Sequence, residues 1–233
     1  MRLDKFICDS AAYSRSEMKR LIKNGAVTVN GIAAKRPDTA VSETDTVTVN
    51  GAEVRYAKFV YLMLNKPQGY VSATEDNIYP TVTELVPEKY AHYGVFPIGR
   101  LDIDTEGLLL LSNDGDFAHR VTSPKKNVQK RYFARLDKPA EAADIPLFAA
   151  GMELGGFTAK PARLQICDDP TEAYVEISEG KFHQVKRMFE RVGKRVIFLK
   201  RVAIGGLLLP DDLETGMIRE YEKSELEKLI MMQ

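Results

Sequence analysis

The stretch "PIGRLDIDTEGLLLLSNDGD", Pro97 to Asp116, decides how this chain is read. Asp102 and Asp104 stand beside Arg100, in a segment bounded by Gly99 and Gly107. Leu108–Leu111 follow at once. A short continuous apolar run bounded by turn residues reads as a strand buried on both faces. Asn113-Asp114-Gly115 reads as a tight turn closing that strand, which makes Asp114 and Asp116 turn residues. Asp102 and Asp104 fall in the preceding loop, and loops on a rigid sheet are where functional groups concentrate. On spacing alone, Asp102 reads as structural before it reads as catalytic. Asp104 and Thr105 are expected to brace the loop through local side-chain-to-backbone bonds.

Strand patterns dominate the rest of the C-terminal part. They include "VYLMLNKPQGYVSA" from Val60, "KRYFARL" from Lys130, "AYVEIS" from Ala173 and "VIFLKRVAIGGLLL" from Val196. Lys66-Pro67-Gln68-Gly69 reads as a turn. Helical spacing appears at Val185, Met188, Phe189 and Val192, and again at Leu226, Leu229 and Ile230 near the end. This mixture predicts an α+β fold built on a large mixed, mainly antiparallel sheet flanked by helices.

The first sixty residues read as a unit of their own, with the boundary near Lys58 (domains 1–58 and 59–233). Leu3, Phe6 and Ile7 have helical spacing. "SRSE", Ser14 to Glu17, is a capping box. In the helix that follows, Met18, Leu21 and Ile22 fall on one face. Arg15, Lys19 and Lys23 share another, with Arg20 at its edge. Asn24-Gly25 stops it. "VTVNG" then occurs twice, at Val27–Gly31 and Val47–Gly51, each a strand ending in a turn that tolerates positive φ. Lys35 and Arg36 sit between the copies. Read as charges alone, these basic residues are a solvated surface.

Bulk properties bound the function. The chain has 233 residues, 44% hydrophobic and 28% charged, with zero formal net charge. Such a balance excludes a wholly basic nucleic-acid coat but not local basic patches. Cys8 and Cys167 are the only cysteines, and His92, His119 and His183 the only histidines. None has zinc spacing, so no metal is expected, and a reducing cytoplasm fits best. The start, "MRLDKFICDS", lacks a signal peptide's apolar core, and no run approaches membrane-spanning length. No membrane partner is expected, and a monomer is.

Residues Arg2–Asn50, from "RLDKFI" through "SRSEMKRLIKNGAVTVNG" to the second "VTVNG", resemble the S4 RNA-binding domain. The resemblance implies that Arg15, Lys19, Arg20, Lys23, Lys35 and Arg36 meet RNA phosphates, where counterion release supplies affinity. From about Tyr61 to Glu222 the chain resembles the bacterial pseudouridine synthases that act on ribosomal RNA. "GRLDIDTEGLLLLSNDG" carries that family's signature, and its catalytic aspartate corresponds to Asp102. "NKPQGYVS" resembles the opening of the catalytic domain, and "KRYFARL" the strand bearing an active-site tyrosine, here Tyr132. "EGKFHQVKRMFERVG" resembles the motif whose basic residue pairs with the aspartate, here Lys186. The lysine in "HQVKRM" resembles the branch acting on small-subunit 16S rRNA, and by that resemblance on uridine 516.

The chemistry implied is consistent with these residues. Moving C1′ of ribose from N1 to C5 of uracil changes neither mass nor oxidation state, so no cofactor is expected. A carboxylate is needed at C1′, and a cation from Lys186 or Arg100 favours its charged form. Tyr132 would present a flat face to the base. His183 and Gln184 are expected to orient the loop before their helix, and His119 to lie on the surface. The partner implied is ribosomal RNA, either naked or within an assembling small subunit. Three other functions stay open: a related synthase acting on 23S rRNA, a glycoside or nucleoside hydrolase using Asp102 and Asp104, and a non-catalytic rRNA-binding assembly factor.

Overall fold

The computed structural model describes residues 1–10, 13–54, 56–123 and 126–232. The chain divides into two compact units. The first holds Met1–Val60 together with Pro87–Gly94, and the second Tyr61–Val86 with Val95–Gln233. Assignment of Pro87–Gly94 to the first unit differs from the sequence reading, which draws one boundary near Lys58.

In the first unit, helices α1 (Leu3–Ser10) and α2 (Arg15–Lys23) precede a four-stranded antiparallel sheet. Its strands are β1 (Val27–Val29), β2 (Ile32–Ala33), β3 (Val47–Val49) and β4 (Ala52–Val54), in the order β2-β1-β3-β4. The capping box forms: Ser14 N–H donates to Glu17 Oε2 at 2.9 Å, and Glu17 N–H to Ser14 Oγ at 3.2 Å. The two "VTVNG" copies pair with each other, Thr28 opposite Thr48, with their hydroxyls 2.7 Å apart. Each copy ends in an Asn-Gly turn with both residues at positive φ, as a type I′ hairpin requires. Leu3, Phe6, Ile7, Met18 and Ile22 bury against Val27, Val47 and Val49. The short helix α3 (Glu88–Ala91) also belongs here, with Tyr90 buried.

The second unit is a mixed sheet with helices, so the whole is α+β. Its strands are β5 (Tyr61–Lys66), β6 (Phe96–Ile98), β7 (Glu106–Ser112), β8 (Lys130–Leu136), β9 (Met152–Glu153), β10 (Thr158–Ala159), β11 (Arg163–Ile166), β12 (Glu172–Ile177), β13 (Val196–Ile204), β14 (Leu207–Leu208) and β15 (Ile218–Glu220). The main sheet runs β11-β12-β8-β13-β7-β5-β15, with β6 paired to β7 and β14 to β13. Helices α4 (Gly115–Thr122), α5 (Asp144–Ala150), α6 (Gln184–Arg191) and α7 (Lys223–Met231) complete it. Among the described residues, these strands pair antiparallel except β13 with β7. Strand β5 is buried at every position and β7 at all but its first, as two-sided burial of the leucine run demands. Gly107 has φ +100, and a Cβ there would lie 2.2 Å from the Arg201 carbonyl oxygen. Only glycine lets β7 approach β13 at this point. Among the described residues no helix is long and apolar enough to cross a membrane.

The leucine strand does not end in a hairpin turn. Asp114 is the N-cap of α4 and accepts from Phe117 N–H at 3.0 Å. It also accepts from Tyr61 Oη at 2.7 Å and Lys223 Nζ at 2.8 Å. Asn, Asp and Gly serve both turns and helix starts, and Phe117 and Val121, buried one turn apart, favour the helix.

Candidate active site

The loop from Gly99 to Thr105, between β6 and β7, carries Asp102. A cavity of about 680 Å³ opens beside it, within the usual size range of small-molecule sites. Asp102, Arg100, Tyr132 and Lys186 all line it. These are the four residues singled out in the sequence, drawn from three distant segments. Tyr132 arrives on the interior strand β8, opposite Arg201 of β13 and Val175 of β12, and is 7% exposed. Lys186 arrives on α6, whose Val185, Met188 and Phe189 are buried.

The electrostatics centre on Lys186. Its Nζ lies 3.4 Å from Asp102 Oδ2 and 2.6 Å from Asp104 Oδ1. It therefore bridges two carboxylates, and its hydrogen bond goes to Asp104 rather than to Asp102. Burial pushes the Asp104 carboxyl upward, but the hydrogen bond and charge of Lys186 outweigh that and hold it below the usual carboxylate range. His183 Nε2 is 3.6 Å from Asp102 Oδ2. Arg100 lines the cavity without an ion pair to Asp102 among the described residues.

What fixes the loop is not given by residue spacing. Lys66, from the end of β5, is fully buried, and its ammonium is caged by backbone carbonyls. It donates to Thr105 O at 2.9 Å, Pro67 O at 3.0 Å, Asp102 O at 3.1 Å and Ile103 O at 3.4 Å. Burial lowers its pKa to about 8, against the pull of nearby Asp104 and Asp102. Ser72 Oγ donates to Leu101 O at 2.9 Å and accepts from Leu101 N–H at 3.0 Å. Gly69 N–H donates to Ile103 O at 2.8 Å. The "NKPQGYVS" segment thus grips the aspartate loop through its backbone, whatever the loop's side chains are. Thr105 contributes differently from expectation: its hydroxyl is buried with no hydrogen-bond partner among the described residues.

The segment before α6 is braced as expected of Gln184. Its Oε1 accepts from Lys181 N–H at 3.0 Å, and its Nε2 donates to Glu179 Oε1 at 3.1 Å. His183 adopts a left-handed conformation at φ 52. His119 is exposed. In the first unit, Arg15, Lys19, Arg20, Lys23, Lys35 and Arg36 are all exposed, and Arg36 forms a two-point ion pair with Asp38.

Comparison with known proteins gives the family. A family described as RNA pseudouridylate synthase matches residues 60–191, and the S4 domain matches residues 1–47. An uncharacterized RNA pseudouridine synthase of Bacillus subtilis, YtzG, is 44% identical and covers 98% of each chain. The ribosomal small subunit pseudouridine synthase A of Pasteurella multocida is 42% identical, covering 97% of this chain and 98% of its own. A solved pseudouridylate synthase structure superposes with a TM-score of 0.69 at 38% identity, covering 98% of this chain and 99% of that one. This chain belongs to the RNA pseudouridine synthase family and carries an S4 domain ahead of the synthase domain. It is an isomerase that acts on RNA.

Proposed function

We propose that the chain isomerises a uridine of small-subunit ribosomal RNA, uridine 516 of the 16S molecule, to pseudouridine, with Asp102 as the catalytic residue. The observation that carries this reading is the Asp102 carboxylate at the cavity, 3.4 Å from the Lys186 ammonium, with Tyr132 in the same lining. The small-subunit assignment is supported by relatives named for that subunit, at 42% identity in Pasteurella multocida and 40% in Haemophilus influenzae.

The uridine leaves its stack and enters the cavity, at an unstacking cost of a few kcal/mol. The C1′–N1 bond breaks while Asp102 meets C1′, as an ester or as a counter-ion to the developing positive charge. Lys186 balances the negative charge of the carboxylate and holds it toward the cavity. Tyr132 supports the base as it turns. C5 then bonds to C1′, the C5 proton departs, and N1 ends protonated, so the product has the formula of the substrate. The cavity walls keep water from the loosened glycosidic bond, which would otherwise release free uracil.

The test is to map pseudouridines in ribosomal RNA from cells lacking the protein, then restore either wild type or Asp102→Asn. Loss of one small-subunit site, restored by wild type alone, is the expected result. A missing site in large-subunit RNA would overturn the subunit assignment, and restoration by Asp102→Asn would overturn the role of Asp102.

A further inference from the structure

Phe182 is the one phenylalanine of ten that is left exposed, at 73%. It lines the mouth of the Asp102 cavity. Its ring is not loose: it stacks on the imidazole of His183, with centroids 3.8 Å apart and planes within 18°. His183 in turn is held at φ 52, and every other non-glycine residue at positive φ among the described residues is an asparagine. Positive φ is uncommon for any non-glycine residue, although histidine tolerates it better than most, and it persists where the surrounding structure fixes it. Here the Gln184 bonds to Lys181 and Glu179 supply that restraint. Tyr79, half exposed, lines the same cavity, and its loop is pinned by Asp76 Oδ1, which accepts from the amides of Ile78 and Tyr79 at 2.9 Å each.

A flat apolar ring, presented to solvent in a fixed plane beside cations, is unfavourable in water and well suited to a nucleobase. Lys181 and Arg100 line the same cavity and can meet phosphates. Extrusion of a uridine leaves its neighbours in the strand without a stacking partner, immediately outside the pocket that receives it. We propose that Phe182, backed by His183, stacks on the base adjacent to the reacting uridine and takes the place the uridine vacates in the stack. This rests on the cavity being the uridine pocket. Phe182 is thereby a positioning residue, which makes the extruded state cheaper without touching C1′.

The experiment uses the full chain and a synthetic fragment of small-subunit rRNA that holds the mapped uridine. Phe182→Ala is expected to slow single-turnover isomerisation about 10-fold, the scale of one base–aromatic stack. Phe182→Tyr should restore the rate, because it keeps the ring. With an abasic site at the stacked neighbour, wild type and Phe182→Ala should react at the same rate, since no base remains to be held. Thermal unfolding should be unchanged, as the ring is exposed. A wild-type rate for Phe182→Ala on the intact fragment would overturn the proposal while leaving the pocket assignment standing. So would an undiminished Phe182→Ala defect when each neighbour in turn is abasic. Wild-type activity of Asp102→Asn on the fragment would instead count against the reading of the pocket.

Discussion

Replacing Lys186 with methionine removes the charge that bridges Asp102 and Asp104. The change keeps most of the apolar stem against α6 and deletes the ammonium. The charge pair at 3.4 Å is worth about 1 kcal/mol at the dielectric of water and about 5 kcal/mol at an effective dielectric of 20. Asp102 is 28% exposed and Lys186 16%, so the site lies between those limits, and about 2 kcal/mol is a reasonable central value. Without the cation, two like charges remain in one short loop, and Asp102 is driven from its aim. If the whole effect falls on the transition state, the rate drops about 30-fold. Single-turnover release of tritium from C5-labelled uridine RNA measures it. Lys186→Arg should recover part of the loss. Asp104→Asn should cost less than about 5-fold, because Asp104 is 61% exposed and such pairs are weak. In the Lys186→Met background, Asp104→Asn should improve the rate by relieving repulsion. A Lys186→Met enzyme within about twofold of wild type would refute the electrostatic argument. An Asp104→Asn defect larger than that of Lys186→Met would move the key interaction to Asp104.

Lys66→Met should lower stability by about 2–3 kcal/mol, since three loop carbonyls and that of Pro67 lose a charged donor. Thermal unfolding should show a Tm about 4–12 °C lower, and an unchanged Tm would deny the cage any structural weight. Asp114 is held at about 2 against an ordinary 3.8: burial pushes it up, and the bonds from Lys223, Phe117 N–H and Tyr61 more than reverse that. A depressed folded-state pKa contributes stability above pH 3.8 that is lost as pH falls through 2, here about 2 kcal/mol. Asp114→Asn should therefore be less stable at neutral pH by that order and show a shallower acid limb between about pH 4 and 2 in chemical unfolding. Substituting Arg15, Lys19 and Lys23 together with glutamine should weaken RNA binding and flatten the plot of log affinity against log salt by roughly 2–3 units. An identical slope would exclude these side chains from phosphate contact.

Local rules make much of this molecule legible. The capping box at Ser14, the paired "VTVNG" strands, the buried leucine strand and the stripe of α6 all obey short-range spacing. The four cavity residues come from motif resemblance, which spacing alone does not supply. Lys66 gives no signal because a lysine in a turn sequence reads as solvated. Its cage consists of carbonyls 36 to 39 residues away, with the exception of Pro67, and no side-chain pattern announces a bond to backbone. Asp114 reads as a turn residue because a helix N-cap uses the same residue types. The hydrogen bond from Lys186 to Asp104 depends on ångström-scale placement that no sequence spacing sets. The parallel pairing of β7 with β13 is likewise hidden, although Gly107 is its signature once the close approach is known.

The discontinuity of the first unit bears on how the chain is born. Pro87–Gly94 belongs with Met1–Val60, yet it is translated only after the whole of β5. Vectorial synthesis at the ribosome cannot finish the leading unit before residue 94 has emerged, by which time part of the trailing unit is already outside the exit tunnel. The two parts mature with overlapping schedules, and a nascent chain arrested between residues 60 and 87 would hold the apolar core of Leu3 to Val49 but lack the segment that completes its unit.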